Sequence, residues 1–385
     1  MADNTGLRNR GNGKADADER RKAVEKIAGV KLDAISSYPF DAELASKNIE
    51  NMIGAVHVPL GFAGPVLIHG DHAKGEFLVP LATTEGALVA SVSRGMSAVT
   101  ASGGVRTKVI KDEMTRAPVF RVSGIEHSLD VIDWMSKNEK KMKDAVRGTT
   151  SHGKLISAEP FPNGRSLFIR FSYGTGDAMG MNMVTIASEA LCALIEKETG
   201  AVLISVSGNM CTDKKPAWIN AIEGRGKTVI AEALIPPDVV KNKLRTSVDA
   251  ITETNVRKNL IGSSMAGSMG HNAHAANMAA ALYIATGQDP AQVVEASMAM
   301  TACEPAADGS LYISVRMPSI EVGTVGGGTG LPAQSESLRM IGCAGTGKAK
   351  KLAEIVAATV LAGELSTLAA QSAGHLGKAH KELGR

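Results

Sequence analysis

The stretch MGMNMVTIASEALCALIEKETGAVLISVSGNMCTDKKPA, residues 179–217, holds the transition on which the fold class turns. Its first part has apolar residues at helical spacing and stops at Gly200, the residue type that most readily closes a helix. Past that stop, AVLISV (201–206) is a continuous apolar run short enough to be a buried strand. Ser207-Gly208-Asn209 and the charged turn Asp213-Lys214-Lys215 follow at once, ahead of Pro216. Such a turn is ordinarily solvated loop, but the end of a strand is also where folds of mixed helix and sheet present ligand-binding groups. Helix, strand and polar loop in immediate succession predict an α+β protein.

The flanks agree with that class. Upstream, VFRV (119–122), KLISAEPF (154–161) and SLFIRFSY (166–173) read as strands, with HSLDVIDWMSKNEKKMKDAV (127–146) between them as one amphipathic helix. Earlier still, VHVPLGFAGPVLIHG (56–70) and GEFLVP (75–80) read as strands and turns. A helix then starts at Thr83 or Thr84, which places Glu85 in its first turn, where a carboxylate complements the helix dipole. The polar residues 1 to about 20 precede a helix starting in the charged stretch Glu19–Lys26. Downstream, Ala- and Gly-rich helical segments run from Met265 to Ala302, and a long Ala/Leu helix from Lys350 to about Ala373.

Composition excludes several function classes. The net charge of +3 over 385 residues is small, and its cations alternate with carboxylates, so there is no nucleic-acid footprint. Cys192, Cys211, Cys303 and Cys343 are scattered without a CxxC pair, which argues against a disulfide framework or a structural zinc and for a reducing cytoplasm. No leader-type apolar segment and no run of eighteen apolar residues is present, so neither secretion nor a membrane span is expected. The 41 glycines are an excess, pointing to tight turns and close backbone approaches.

Two patterns suggest other chemistry and fall short of it. Gly342 to Lys348 satisfies G-x4-G-K, but Ala349 stands where a P-loop needs Ser or Thr for magnesium, and the preceding SESLRMI is helical. His271 and His274 are three apart on an expected helix, without a third ligand nearby, so no metal is expected there. Asp289, before Pro290, reads as a turn or a helix N-cap. No G-x-G-x-x-G follows a strand, so a dinucleotide must be held in some other way.

Seven segments together resemble the hydroxymethylglutaryl-CoA reductase family: ENMIG (50–54), ATTEG (82–86), DAMGMNM (177–183), SGNMCTDKKPA (207–217), NAHAAN (272–277), GQD (287–289) and TVGGGT (324–329). They occur in unbroken order from about residue 35 to the C-terminus, and the form is that of the soluble, archaeal-type class I enzymes. The resemblance implies NADPH-dependent four-electron reduction of (S)-3-hydroxy-3-methylglutaryl-CoA to (R)-mevalonate and CoA, without a metal. The catalytic set it implies is Glu85, Lys214, Asp289 and His380. Lys214 would steady the oxyanion at both hydride steps, Asp289 would orient Lys214 and Glu85, His380 would protonate the departing thiolate, and Glu85 would be the acid for mevaldehyde reduction.

Arg116, Ser207, Asp213, Lys215, Lys258 and Asn277 match positions that hold the hydroxymethylglutaryl group, and Ser91 and Arg94 match CoA contacts. Cofactor contacts are implied at Asp177, Met179, Gly180, Met181, Asn182, Gly326, Gly327 and Gly328. Around TTSHGKL (149–155) the spacing is one residue shorter than in eukaryotic members and their arginine for the 2′-phosphate is missing. Ser151, His152 and Lys154 stand there instead. The family's phosphorylatable serine after the catalytic histidine is also missing, so control through it is not expected.

The domains implied are a polar N-terminal segment (1–34), a large acyl-CoA-binding domain in two pieces (35–116 and 207–373), a small inserted ferredoxin-like cofactor domain (117–206) and a mobile C-terminal flap (374–385). The resemblance further implies a cytoplasmic homodimer with shared active sites, with a tetramer as the alternative assembly. Two other readings stay open: a same-fold oxidoreductase running mainly in the mevalonate-degrading direction with NADH, and a P-loop ATPase or metal-dependent hydrolase.

Overall fold

The computed structural model describes residues 11–374; residues 1–10 and 375–385 lie outside the described residues, and with them His380 and nearly all of the expected flap. Helix α1 (Lys14–Ala28) begins earlier than the charge pattern suggests. The reason is Asp16, whose carboxylate reaches back to accept the Gly13 N–H at 3.1 Å and closes the first turn. The hairpin β1 (Leu60–Gly70) and β2 (Lys74–Ala82) leads to α2 (Leu88–Ala101). Glu85 is therefore not in a first helical turn but in the turn before it, where its N–H is taken by Thr83 Oγ1 at 3.0 Å. Thr83 spends its hydroxyl on that local turn, and the helix starts only past Ala87, which is left-handed at φ 71°.

Strand β3 (Val105–Arg116) returns parallel to β1. Next come β4 (Val119–Arg121), α3 (Ile125–Lys137), α4 (Glu139–Arg147), β5 (Lys154–Asn163), β6 (Ser166–Gly174), α5 (Met181–Thr199) and β7 (Val202–Ser205). The single helix expected over 127–146 is broken at Asn138, whose side-chain amide donates to the Trp134 carbonyl at 2.8 Å in competition with the helical ladder. The Gly200 stop is where the sequence puts it, left-handed at φ 73°. The run after it is a strand but not a buried one: Val202 is 42% and Ile204 58% exposed, because β7 is an edge strand paired only with β4.

The chain continues through α6 (Trp218–Glu223), β8 (Gly226–Ile235), α7 (Val248–Thr254), α8 (Ala275–Thr286), β9 (Met300–Pro305), β10 (Leu311–Ile320), α9 (Pro332–Met340) and α10 (Ala349–Ser372). Residues 265–302 are thus less helical than expected. Residues 266–274 are irregular, and Met300 already belongs to a strand.

One ten-stranded sheet joins these elements in the order β7-β4-β6-β3-β8-β10-β9, with β1 and β2 beside β3, and β5 beside β6. Strand β3 serves both ends: residues 105–113 pair with β1 and β8, and Met114–Arg116 with β6. Two apolar clusters lie on either side of that junction, one built from α2, α8, α10 and the β1–β3–β8–β10 strands, the other from α3, α4, α5 and β4–β6. Helix α10 is long and apolar enough to cross a membrane, yet 94% of its most apolar window is buried as the axis of the larger cluster. Helix α2 crosses it closely at Gly95, where any Cβ would overlap the Ala362 carbonyl.

Candidate active site

The loop between β7 and α6 is strained and firmly held. Asn209, Thr212 and Lys214 are all left-handed, at φ 64°, 47° and 58°, a conformation that costs a non-glycine residue about 1–3 kcal/mol and persists only where its surroundings enforce it. The surroundings here are buried polar groups. Arg170 Nη1 donates to the Met210 carbonyl at 2.9 Å, Asn220 Nδ2 to the Cys211 carbonyl at 3.2 Å, and the Lys214 N–H to the Glu295 carboxylate. The outcome is a fixed ammonium: Lys214 Nζ is 2.8 Å from Asp289 Oδ2. Asp289 is held in turn as the cap of the 290–292 turn, accepting the Ala291 N–H at 3.0 Å. The hydrogen bond to Asp289 holds Lys214 above the usual lysine value against partial burial, with Asp213 and Glu295 adding to it, so the ammonium stays charged.

Asp213 lies 4.0 Å from Arg116 and 3.1 Å from Arg225, and accepts from Gln292 Nε2 at 3.2 Å. Lys215 Nζ folds back onto the Asp213 carbonyl at 3.0 Å, and Ser207 Oγ is 3.7 Å from Cys211 Sγ. Beneath them is a buried charge cluster. Arg225 Nη1 is 2.6 Å from Glu321 Oε1 and 3.4 Å from Glu295 Oε1, and none of the three side chains reaches solvent. With Asp213, three carboxylates share one guanidinium. Burial pushes Glu321 well above the carboxylate range in spite of Arg225, and burial lifts Glu295 to about 7.

Beside Asp289 opens a groove of about 670 Å³ lined by Met179–Asn182 on one side and Gly326–Gly328 on the other. Helix α5 starts at its edge from left-handed Gly180 with no side-chain cap, leaving first-turn N–H groups free for an anion. Across the groove, a Cβ on Gly287 would collide with the backbone of Gly328, so that approach requires glycine. Asp177 does not face the groove as a free carboxylate. It accepts the N–H groups of Gly347, Lys348 and Ala349 at 2.6, 3.0 and 3.1 Å. The loop that mimics a P-loop therefore spends its anion-binding N–H groups on the protein's own carboxylate, at the start of α10. Burial would raise the Asp177 pKa, but these three hydrogen bonds and Lys227 outweigh it and hold it below the ordinary value. Exposed Ser151, His152 and Lys154 flank Gly153, which packs on Met183 in the first turn of α5.

Glu85 is elsewhere. Its Oε1 accepts from Asn277 Nδ2 at 3.2 Å, at the start of α8. Lys258 Nζ donates to Asn259 Oδ1 at 3.2 Å; partial burial lowers its pKa, with Glu364 opposing. Ser91 Oγ and Arg94 Nε both meet Ser366 Oγ on α10, at 2.9 and 3.0 Å. His271 and His274 share no helix. His271 bridges to β9, and His274 is the residue before α8.

The expected residues thus fall into two groups. Lys214, Asp289, Asp213, Arg116, Ser207 and Lys215 join the groove at the C-terminal end of α8. Glu85, Asn277, Lys258, Ser91 and Arg94 gather at its N-terminal end around residues 364–366 of α10. Ten residues of helix from Asn277 to Gly287 span about 15 Å, and among the described residues no hydrogen bond or ion pair joins Glu85 to Lys214 or Asp289. Sequence reasoning assigned no role to Arg225, Glu295, Glu321, Arg170 or Glu364. The one visible signal was Glu354 and Glu364 within the otherwise apolar run of α10, where an unpaired carboxylate could not be buried. Both prove to be anchors: Glu354 accepts the N–H groups of residues 71–73, and Glu364 those of Ala273 and His274.

A family model described as hydroxymethylglutaryl-coenzyme A reductase matches residues 16–385. The chain is 54% identical over 374 residues to the 3-hydroxy-3-methylglutaryl-coenzyme A reductase of Pyrococcus horikoshii, covering 95% of this chain and 91% of that one. It is 52% identical over 374 residues to that of Haloferax volcanii, covering 96% and 93%. With 3-hydroxy-3-methylglutaryl-coenzyme A reductase 1 of Dictyostelium discoideum the identity is 46% over 378 residues, covering 95% and 68%. Among solved structures, the class II 3-hydroxy-3-methylglutaryl-CoA reductase from Streptococcus pneumoniae, bound to NADPH in open conformations, superposes with a TM-score of 0.72 at 20% identity, covering 92% of this chain and 96% of that one. That likeness establishes a common α+β fold.

Proposed function

The chain belongs to the archaeal-type hydroxymethylglutaryl-CoA reductase family and reduces hydroxymethylglutaryl-CoA to mevalonate, and from that premise we propose that its active site is completed between two copies of the chain. The observation that carries this is the separation of the two groups by the length of α8, too far for one substrate carbonyl to meet Lys214 and Glu85 of the same chain. In a homodimer, the Lys214–Asp289 pair and the groove of one protomer face Glu85, Asn277 and Lys258 of its partner. The small domain (117–206) then carries the cofactor; its strands run in the order β7-β4-β6-β5 with antiparallel neighbours, as in ferredoxin-like folds. The described charge pattern and the buried α10 fit a cytoplasmic enzyme.

The groove suits NADPH. The uncapped start of α5 can receive phosphate, and the glycine-lined walls admit a flat ring next to Lys214. When bound, NADPH would supply one hydride to each of the two successive reductions, a second cofactor molecule replacing the first between them. Lys214, held charged by Asp289, stabilises the negative charge that grows on the carbonyl oxygen in both. Arg116 and Lys215 hold the free carboxylate of the substrate, and Ser91 and Arg94 the CoA portion. His380 returns a proton to the CoA thiolate, and Glu85 protonates the mevaldehyde-level alkoxide.

Specificity for the 2′-phosphate rests on His152 and Lys154 at the rim by α5. The test is initial rates with NADPH and NADH for wild type and Lys154→Ala. An NADPH KM raised about 10-fold in the variant, with the NADH KM unmoved, is expected for the loss of one charge-assisted contact. Equal changes for both cofactors would remove Lys154 from that role.

A further inference from the structure

Among the described residues the only side-chain partner of the Glu85 carboxylate is the Asn277 amide, with Nδ2 3.2 Å from Glu85 Oε1. The same Nδ2 lies 3.2 Å from His274 Nδ1. On the far side of the ring, His274 Nε2 faces the Gly363 carbonyl at 3.2 Å and Thr367 Oγ1. A carbonyl oxygen only accepts, so Nε2 carries a proton, and in the tautomer that holds its proton there Nδ1 presents a lone pair. A lone pair on one side and a carboxylate on the other both need donors, and only the NH2 end of Asn277 supplies two. This logic fixes the direction of the amide: nitrogen towards Glu85 and His274, oxygen away from both. The opposite orientation would set the amide oxygen against two acceptors.

The ring itself is anchored from behind. The N–H groups of Ala273 and His274 donate to the buried Glu364 carboxylate at 2.7 and 2.8 Å, and Glu364 Oε2 also accepts from Thr301 Oγ1 at 2.8 Å. Helix α10 thus grips the backbone of His274 with Glu364 and its imidazole with Gly363 and Thr367. Asn277 Oδ1 accepts no hydrogen bond among the described residues, so it is available to a donor from outside the chain.

We propose that His274 is a positioning residue: its imidazole, with Nε2–H towards the Gly363 carbonyl and Nδ1 towards Asn277, sets the Asn277 amide so that N–H is delivered to Glu85 and the oxygen is offered to a substrate hydroxyl. The inference rests on the reading of Glu85 and Asn277 as substrate-facing groups. His274→Phe keeps a ring but removes both nitrogens, whereas His274→Asn places an acceptor where Nδ1 was.

Mevaldehyde reduction by the full-length enzyme separates the outcomes. His274→Phe is expected to lower kcat about 10- to 100-fold, the scale of a misplaced catalytic group, with the NADPH KM unchanged. His274→Asn is expected to recover most of that loss, and His274→Phe is expected to add little in an Asn277→Ala background. Wild-type kcat in His274→Phe, equal loss in His274→Asn, or full multiplication of the His274 and Asn277 effects would each overturn the inference. A direct reading on the unaltered protein comes from nitrogen-15 spectra of labelled histidine: a neutral Nε2–H ring at neutral pH is expected, and an Nδ1–H tautomer contradicts it. Glu85→Gln serves as the control. Full activity there would refute the reading of Glu85 itself, whereas loss there with an indifferent His274 refutes only the positioning role.

Discussion

Lys214→Met is expected to abolish both reductions, lowering kcat by at least about 10²–10³-fold with hydroxymethylglutaryl-CoA and with mevaldehyde alike, the range seen when a preorganised oxyanion donor is removed. The equality of the two losses is the informative part, because one ammonium is asked to stabilise the same kind of charge at two successive carbonyls. Stability should barely move. Lys214 is 44% and Asp289 29% exposed, so the pair is a partly solvated one whose loss costs little. His380→Gln should contrast with it by sparing mevaldehyde and failing on the thioester, since only the thioester releases a thiolate. Steady-state rates with the two acceptors, beside a melting curve, check all of this. Loss of one reduction alone in Lys214→Met would mean that a different group serves the other step.

The buried cluster under that lysine should govern stability instead. Arg225→Met leaves Glu295, Glu321 and Asp213 without their shared cation, and breaking a buried pair in this way costs about 3–5 kcal/mol. Glu321→Gln replaces a carboxyl that burial already holds towards its protonated form by an amide of the same shape, so it should be tolerated. Glu295 adds a pH dependence whose sign follows from its raised pKa of about 7. The folded protein binds a proton there that the unfolded chain has released above the ordinary carboxylate value. The contribution is therefore fully present below the ordinary carboxylate value of 4.5 and is lost as pH rises from there through about 7. Melting temperatures across that range should fall more steeply for wild type than for Glu295→Gln, which cannot titrate; parallel curves would contradict the assignment. Because Glu295 accepts the N–H of left-handed Lys214, its substitution should also loosen the ammonium.

Much of this could be read from the sequence, for identifiable reasons. Helix α5 and its stop at Gly200 follow from a 3.6-residue period and a single glycine, both local signals. The loop with Lys214 stood out because charge follows an apolar strand directly, whereas Asp289 before Pro290 reads locally only as a turn or N-cap and its catalytic role came from the resemblance. Strands β8 and β10 were not read at all. In β8 the more open positions include Ile230 and Leu234, so the buried Val229, Ala231, Ala233 and Ile235 do not stand out as apolar against polar, whereas β10 does alternate, with Leu311, Ile313, Val315 and Met317 buried, and that signal was overlooked. Edge exposure of β7 was missed since an apolar run says nothing about where in a sheet it lies. Arg225, Glu295 and Glu321 were illegible for a different cause: they are 70 and 96 positions apart, and only the tertiary fold distinguishes them from surface charges. Glu85 was placed in a helix because Thr83 resembles an N-cap, whereas its hydroxyl serves a local turn.

The separation of the catalytic residues along α8 has one direct test. Glu85→Gln and Lys214→Met chains, each inactive alone, are co-expressed with different tags, and the species carrying both tags is assayed with hydroxymethylglutaryl-CoA and NADPH. If each site takes Lys214 from one protomer and Glu85 from the other, a mixed dimer has one intact site and one doubly altered one, so the doubly tagged species is expected to show about half of wild-type activity. Activity near the level of the single variants, in a preparation shown to contain mixed dimers, would mean that both residues act from the same chain and that the shared site is wrong.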